Sequence, residues 1–395
     1  MNRYERPLEA LSIKLPRPDR TLEDFRPAAP RGFAQRAPGA FNRVAFAAAH
    51  VVADPLRECD PWLDAPIDWE RTMAFREHLW DLGFGVAEAM DTAQRGMGLG
   101  WPDSLELIRR SVAAAKPRGG VVFSGAGTDH LPPEDAKSLD DVIRAYEEQI
   151  GAIEAFGGRI ILMASRALAR VARSADDYAR VYDRVLSQVR APVIIHWLGD
   201  MFDPALRGYW GTTDLSAATD TATDIINANE SKVDGVKVSL LDKDREIAMR
   251  RRLVQGVRMY TGDDFNYAEL IAGDDRGYSD ALLGIFDAIA PAASAALAAF
   301  AQGDRKSFDD ILAPTVPLSR HIFMAPTRFY KTGVVFMAYL NGHQDHFTMI
   351  GGQESTRSTL HLAELFRLAD AAGLLRDPAL AVHRMQLILE TRGVG

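Results

Sequence analysis

The stretch Val233-Asp234-Gly235-Val236-Lys237-Val238-Ser239 is a short valine-rich run that carries one lysine and leads into a polar turn. Valine favours strands, so the run predicts a buried β-strand with Lys237 near its carboxyl end. An apolar strand end removes an amine from water and lowers its pKa, which is how enzymes prepare a Schiff-base lysine. The same pattern is also typical of a lysine whose stem packs at a strand end while its charge reaches solvent.

Similar apolar runs recur on both sides of this stretch, each followed by a polar turn and an amphipathic segment. Between them lie segments with helical spacing of apolar residues, such as Leu139–Ala155 and Asp176–Val189. Strands that alternate with helices predict a parallel sheet, and eight repeats predict an α/β fold of the (β/α)8 TIM-barrel type. The predicted strands are Arg43–Val52, Phe84–Met90, Gly120–Ser124, Arg159–Ala164, Pro192–Leu198, Gly235–Leu240, Val257–Gly262 and Gly277–Gly284.

The two ends of the chain differ from this repeating pattern. Residues 1–40 are rich in proline and arginine and predict an extended N-terminal arm. Residues 41–300 are assigned to the barrel, and residues 301–395 to a C-terminal helical region packed on the barrel. The segments with helical apolar spacing here are Ala292–Gln302, Arg320–Leu340, Thr356–Ala372 and Ala379–Thr391.

Composition excludes several classes of function. The formal net charge of −8, without a block of basic residues, argues against a nucleic-acid partner. A single cysteine, Cys59, excludes an intrachain disulfide and a cysteine-rich zinc site. Residues 1–6 have no apolar core like that of a signal peptide, and no apolar stretch is long enough to span a membrane. We therefore expect a soluble cytoplasmic protein with no membrane partner.

Three motifs in order resemble one enzyme family. They are Gly235-Val236-Lys237, Thr261-Gly262-Asp263-Asp264 and the turn Phe323-Met324-Ala325-Pro326-Thr327-Arg328. Their order and spacing, from about Phe41 to Leu340, resemble the dihydrodipicolinate synthase / N-acetylneuraminate lyase superfamily of class I aldolase-type barrels. The resemblance implies a lyase or aldolase that forms a Schiff base at Lys237 without a cofactor. It also implies a homo-oligomer, a dimer or a tetramer, and a divergent branch of the superfamily.

Two departures from the family pattern concern the substrate. His196 stands where the family has a proton-relaying tyrosine, and a histidine can also move a proton near neutral pH. Asp91 and Thr92 stand where the family has a Thr-Thr pair that binds the carboxylate of a 2-oxo acid. A carboxylate at that position repels another carboxylate, so a carbohydrate-derived carbonyl compound is favoured over a small keto acid. Further candidate substrate contacts are Ser165, Arg166, Asp263 and Arg328.

Two other interpretations stay open. Histidines and carboxylates at several predicted strand ends could bind a divalent metal, as in a barrel isomerase or hydrolase of a sugar-like substrate. The candidate ligands are His50, Glu88, His130 and His196, although none has a tight ligand spacing. The other interpretation is a barrel that binds a small molecule without catalysis. Polar strand ends around Lys237 argue against it, because a barrel that has lost its activity is expected to carry small or apolar residues there.

Overall fold

A computed structural model of the chain describes residues 8–394 and contains ten strands. Residues 1–7 of the predicted arm, and Gly395, lie outside the described residues. Strands β1 and β2 form an antiparallel pair, and β3 to β10 form a closed barrel. The strands are β1 Ile13–Pro16, β2 Leu22–Phe25, β3 Ala45–Ala48, β4 Gly85–Glu88, β5 Val122–Ala126, β6 Arg159–Leu162, β7 Val193–Leu198, β8 Val233–Ser239, β9 Arg258–Thr261 and β10 Asp280–Leu283.

The barrel confirms the predicted (β/α)8 fold. Every neighbouring pair in it is parallel, and β10 pairs with both β9 and β3. Each predicted run overlaps one barrel strand, although β5 ends two residues after its predicted run and β8 begins two residues before its own. The buried strand residues are mostly valine, isoleucine, leucine and alanine. Parallel strands with helices over them read as continuous apolar runs, which is why the sequence revealed them.

Fifteen α-helices and eight short 3-10 turns complete the described chain, and most of the α-helices follow a strand of the barrel or lie after its last strand. Side chains cap many of them: Ser138, for example, accepts a hydrogen bond from Asp141 N at the start of α3. The helices are α1 Trp69–Asp81, α2 Trp101–Ala115, α3 Leu139–Ala155, α4 Arg166–Val171, α5 Ala175–Gln188, α6 Leu215–Ala228, α7 Lys243–Arg250, α8 Tyr267–Ala272, α9 Ile285–Ala288, α10 Ala290–Ala301, α11 Arg305–Leu312, α12 Thr315–Ile322, α13 Tyr330–Leu340, α14 Thr359–Ala371 and α15 Pro378–Thr391.

One predicted helix is wrong. The spacing over Arg320–Leu340 predicted a continuous helix, but α12 ends at Ile322 and α13 begins at Tyr330. Pro326 lies between them, where it can neither donate a backbone hydrogen bond nor fit inside a helix. By contrast, α3 is confirmed with its predicted bounds, and α5 differs from its prediction by one residue at each end.

The chain forms two compact units by internal contacts. One consists of Arg43–Ala49 and Phe84–Gly284, and it holds the whole barrel. Its interior is filled by large apolar side chains at alternate strand positions, so the barrel is a packed core rather than a channel. Phe46 and Phe123 meet edge to face there, with ring centroids 5.2 Å apart. The interior cluster is Phe46, Ala48, Ala87, Met90, Phe123, Ile161, Met163, Ile194, Tyr260 and Leu282.

The other unit combines the arm and His50–Gly83 with the chain from Ile285 onward. Within it the hairpin β1–β2 packs on α14, where the rings of Phe25 and Phe366 lie 5.9 Å apart. Ala28 N donates to the carboxylate of Asp370 at 2.9 Å. The arm therefore has regular structure that its prolines did not predict. The packing of residues 301–395 on the barrel stays a prediction. Among the described helices, none has the length and apolar character needed to cross a membrane.

Candidate active site

Lys237 lies in the last half of β8, between two strands that supply its neighbours. His196 of β7 is its partner in the parallel register on one side, and Tyr260 of β9 on the other. Only 7% of Lys237 is exposed. Burial lowers the pKa of its amine, while the carboxylates of Asp264 and Asp91 act in the opposite direction. The fold therefore provides a desolvated amine with two acidic groups near it.

Gly262, just after β9, leaves the space that the Lys237 side chain occupies. A Cβ at this position would lie 2.8 Å from Cε of Lys237 and 2.3 Å from the hydroxyl oxygen of Ser239. It would also lie 2.7 Å from the backbone oxygen of Val238, which cannot move aside as a flexible side chain can. Only glycine fits at position 262, because the side chains of Lys237 and Ser239 and the backbone of Val238 approach its Cα closely. The absence of a Cβ there lets the Lys237 side chain extend past this position.

His196 is fully buried beside this lysine. Its Nε2 lies 3.2 Å from Oγ of Ser239, and its Nδ1 has no hydrogen-bond partner in the described protein. Burial lowers the pKa of His196 well below its usual value, and the nearby charge of Lys237 lowers it further. The ring is therefore neutral at pH 7 and has one nitrogen left for a proton on a bound molecule.

An open cleft of about 800 Å³ in the barrel unit reaches His196 and Asp91. Lys237 itself does not line this cleft, but its register partner His196 does. Asp91 begins the short 3-10 turn Asp91–Ala93 after β4, and Thr92 in the same turn is buried. The cleft has the size of a small-molecule site and offers both carboxylate and imidazole groups.

The two arginines of the cleft are already paired with carboxylates. Arg95, nearly fully buried, donates to Asp129 at 2.7 Å, and Arg166 donates to Asp203 at 2.5 Å. Burial alone would raise the pKa of Asp129, but the charge and hydrogen bond of Arg95, together with the hydrogen bonds from Gln149 and the backbone, outweigh it and hold that pKa below its usual value. Each arginine of the cleft is therefore paired with an aspartate. Asp91 is a further carboxylate beyond these two pairs.

Four predicted substrate contacts have other partners in the structure. The hydroxyl of Ser165 accepts from Leu168 N and caps α4. The carboxylate of Asp263 accepts from the backbone of Phe265 and Asn266, and burial raises its pKa. Arg166 pairs with Asp203 as above. Arg328 is exposed in the other unit, with its guanidinium 4.7 Å from the ring centroid of Phe329.

The candidate metal ligands also have separate partners. The carboxylate of Glu88 accepts from the hydroxyl of Ser111 on α2 and from Ala89 N. His130 contacts Gln149 of α3 through Nδ1, at 2.8 Å. His50 belongs to the other unit, where its Nδ1 lies 2.8 Å from Asp287. Across residues 8–394, no three histidine, cysteine, aspartate or glutamate side chains form a group that could hold a metal ion.

Sequence reasoning missed three residues of this site. Ser239 is two positions after Lys237, and since alternate strand residues face the same side, that spacing could have found it. Asp264 was not among the predicted substrate contacts, whereas it is one of two carboxylates, with Asp91, that act on the pKa of Lys237. Arg95 gave no signal in the sequence, because its pairing with Asp129 depends on how two loops meet.

Three solved structures share this fold. A dihydrodipicolinate synthase from Aquifex aeolicus has a TM-score of 0.63 and 14% identity, covering 84% of this chain and 99% of that one. A putative dihydrodipicolinate synthetase from Pseudomonas aeruginosa has a TM-score of 0.62 and 15% identity, with the same coverage of both chains. A chloride-inhibited dihydrodipicolinate synthase from Acinetobacter baumannii, complexed with pyruvate, has a TM-score of 0.62 and 16% identity, again covering 84% and 99%.

The chain therefore shares its barrel fold with dihydrodipicolinate synthase structures, the family that the three motifs resemble. The chain belongs to the family described as "Protein of unknown function (DUF993)", whose model matches residues 13–394. A comparison with curated proteins finds no match.

Proposed function

We propose that this protein is a class I lyase or aldolase that forms a Schiff base between Lys237 and a small carbonyl compound. The observation that carries the proposal is the buried Lys237 amine, whose pKa is lowered by desolvation. A lowered pKa raises the fraction of the neutral amine, which is the nucleophile, whereas the ammonium form is not. The likeness in fold to dihydrodipicolinate synthase structures supports the same conclusion.

The proposed reaction begins when the neutral amine of Lys237 attacks the carbonyl carbon and forms a carbinolamine. Loss of water then gives an iminium. In C–C cleavage the electron pair of the broken bond moves to the iminium and gives an enamine, while a substrate hydroxyl loses its proton and leaves as a second carbonyl compound; protonation of the enamine restores an iminium. In dehydration, loss of a proton from the carbon next to the iminium gives an enamine that expels hydroxide from the following carbon and becomes an iminium again. Hydrolysis of the iminium releases the product and restores the amine. No organic cofactor or metal is required for these steps.

His196 is the proposed proton relay in this sequence. Its ring is neutral at pH 7, so it can accept a proton from a substrate hydroxyl and return it later. Ser239 bonds its Nε2 and fixes the orientation of the ring. That leaves Nδ1, which has no partner in the described protein, as the nitrogen for the substrate.

The charges of the cleft favour a hydroxylated substrate over a carboxylate. Both lining arginines are paired with aspartates, so neither offers an uncommitted charge to a substrate carboxylate. Asp91 adds a negative charge near the amine. A carboxylate accepts hydrogen bonds from hydroxyl groups and repels anions, so we propose a carbohydrate-derived carbonyl compound as the substrate class. Thr92, in the same turn, supplies a second group for these hydroxyls.

Borohydride trapping tests the proposal directly. The purified protein is treated with sodium borohydride in the presence of keto sugars and 2-oxo acids, and its intact mass is measured. We expect an adduct that maps to Lys237 and is absent from Lys237→Ala. The matched control is Lys243→Ala, which removes a surface lysine paired with Glu269 and leaves the adduct in place. Trapping by 2-oxo acids alone would contradict the substrate class, and turnover by Lys237→Ala would contradict the mechanism.

The oligomeric state is a separate proposal. We propose a homodimer or homotetramer, on the resemblance of the motifs. Fold alone does not fix this, because one structure with a TM-score of 0.62 is described as a monomeric dihydrodipicolinate synthase variant. Light scattering coupled to gel filtration measures the mass in solution, and a monomer at micromolar concentration would contradict the proposal.

A further inference from the structure

A second cleft, of about 620 Å³, lies in the unit that contains the arm and the C-terminal helices. Its walls are mostly apolar and include Phe33, Pro291, Met337 and Leu374. Polar side chains also line it, and the two that matter here are Asp287 and His78. A concave apolar surface with a few polar groups is the usual form of a small-molecule site.

Asp287 contributes a buried carboxylate with one oxygen unused. Its Oδ2 accepts hydrogen bonds from N and Nδ1 of His50, both at 2.8 Å. Its Oδ1 is buried and has no partner in the described protein. Both side chains of this pair are fully buried. A buried carboxylate oxygen without a donor is costly, so a donor on a bound molecule would stabilise it.

His78, on α1, adds a second polar atom without a partner, its Nε2. Burial lowers the pKa of His78 to about 4, and the charge of Arg376 lowers it further, so its ring is neutral at pH 7. The ring of His343 lies 4.7 Å from that of His78, and burial lowers the pKa of His343 well below its usual value. The inner end of the cleft therefore carries the negative charge of Asp287 and neutral imidazoles.

Arg376 is the positive group at this cleft, and it is exposed. Its guanidinium already donates to the backbone oxygen of Asn341 at 2.8 Å. A metal ion is not the ligand that these groups fit, because they do not form a metal-binding group of three within the described chain. Oδ1 of Asp287 is an acceptor, and Nε2 of His78 is one in the tautomer that carries its proton on Nδ1, which points to a ligand with N–H donors.

We propose that this cleft binds a small organic ammonium ion, with its N–H groups on Asp287 Oδ1 and His78 Nε2 and its apolar part against Phe33, Met337 and Leu374. This site is independent of the reaction proposed for Lys237. An ammonium ion has three donors and a positive charge, so it matches a carboxylate and a neutral imidazole better than a hydroxyl compound does.

Calorimetric titration of the full chain with benzylammonium tests the proposal, with benzyl alcohol and benzoate as neutral and anionic probes of similar shape. We expect a Kd of about 1 mM or tighter for benzylammonium and much weaker binding of the other two. Asp287→Asn should weaken benzylammonium binding by at least about tenfold. Lys237→Ala should leave it unchanged, which separates this site from the Schiff-base site.

Asp287→Asn also weakens the contacts with His50, and this variant could fail to fold. A second variant therefore tests the same proposal without changing those contacts. Ala288→Phe places a ring in the cleft without changing Asp287, and it should abolish binding. The matched control is Ala295→Phe, a half-buried position on α10 that does not line the cleft. Equal binding of benzyl alcohol, preference for benzoate, unchanged binding in Ala288→Phe, or binding of Zn²⁺ in place of benzylammonium would each overturn the proposal.

Discussion

The Nε2 atom of His196 lies 3.2 Å from the hydroxyl oxygen of Ser239, which stands two residues after Lys237 on the same strand. The residue that orients the proposed proton relay therefore lies on the strand that carries the proposed nucleophile. Because strands β7 and β8 are hydrogen-bonded along this stretch, the relay and the amine are held in fixed register.

Ser239→Ala is expected to reduce kcat of the proposed reaction by roughly fivefold, the equivalent of about 1 kcal/mol for one lost hydrogen bond. KM should change little, because the hydroxyl orients His196 rather than the substrate. Steady-state kinetics with the compound that traps on Lys237 measures both constants. The control is Ser124→Ala on β5, which removes a buried hydroxyl without a partner in the described protein. A raised KM with unchanged kcat would show that Ser239 contacts substrate instead.

Lys237→Met is expected to change how stability depends on pH. Burial lowers the pKa of Lys237 below its ordinary value of 10.5, so between these two pKa values the unfolded chain binds more protons than the folded protein. The destabilising effect of the buried amine is complete below the folded pKa, and it disappears as pH rises towards 10.5. The advantage of Lys237→Met in free energy of unfolding should therefore shrink with rising pH. Urea denaturation of both proteins at several pH values measures this difference, and a constant difference would contradict a lowered pKa.

Gly262→Ala is expected to destabilise the protein by about 1–3 kcal/mol, because its Cβ overlaps Ser239 and a backbone oxygen. It should also prevent borohydride trapping, since the same Cβ displaces Lys237. Thermal unfolding and intact mass measure the two effects. The control is Gly151→Ala in α3, where a Cβ meets no atom within 4 Å. That change should stabilise the protein by about 0.5–1 kcal/mol, and equal behaviour of the two variants would refute the argument from space.

In the wild-type protein, the Glu246 carboxyl is expected to lower the free energy of unfolding as pH rises from 5 to 8. Glu246→Gln should lack this decrease. The carboxyl of Glu246 accepts from Thr261 and Ser279, and burial raises its pKa from 4.5 to about 8. In this interval the folded protein holds a proton that the unfolded chain has released, so the contribution of Glu246 to stability is greatest below pH 4.5 and is lost as pH rises to 8.

The size of this loss is on the order of 4 kcal/mol, and Glu246→Gln should show much less of it. Urea unfolding of both proteins across this range measures the difference. Glu58→Gln, which changes an exposed carboxylate, should keep the wild-type slope. Parallel curves for wild type and Glu246→Gln would contradict the raised pKa.

The sequence predicted those strands and helices whose apolar spacing is set by packing against the core. The run Pro192–Leu198 predicted β7 because a strand buried on both faces needs an unbroken apolar series. Leu139–Ala155 predicted α3 because one face packs inward and Ser138 caps its start. The hairpin β1–β2 was not predicted, because its strands are short and its prolines read as an extended arm.

The site was predictable only in part, for a related reason. The strand position of Lys237 follows from one run of sequence, and Asp91 was a predicted site residue. The other carboxylate that acts on the pKa of Lys237, Asp264, follows the next strand after a bend that sequence does not fix. Asp263 and Asp264 are adjacent in the motif, and their different contacts depend on the backbone geometry, which the sequence alone does not give. Asp263 accepts hydrogen bonds within its own turn, whereas Asp264 acts on Lys237.

Closure of the barrel by β10 against β3 has a consequence for synthesis of the chain. Val44 N donates to Asp280 across 236 residues of sequence, so the partner of the first barrel strand is made long after it. One edge of β3 therefore stays unpaired on the ribosome until Leu283 has emerged, and any fragment that ends earlier keeps that edge open. An open strand edge is a template for pairing with other chains, so such fragments are expected to aggregate where the full chain does not.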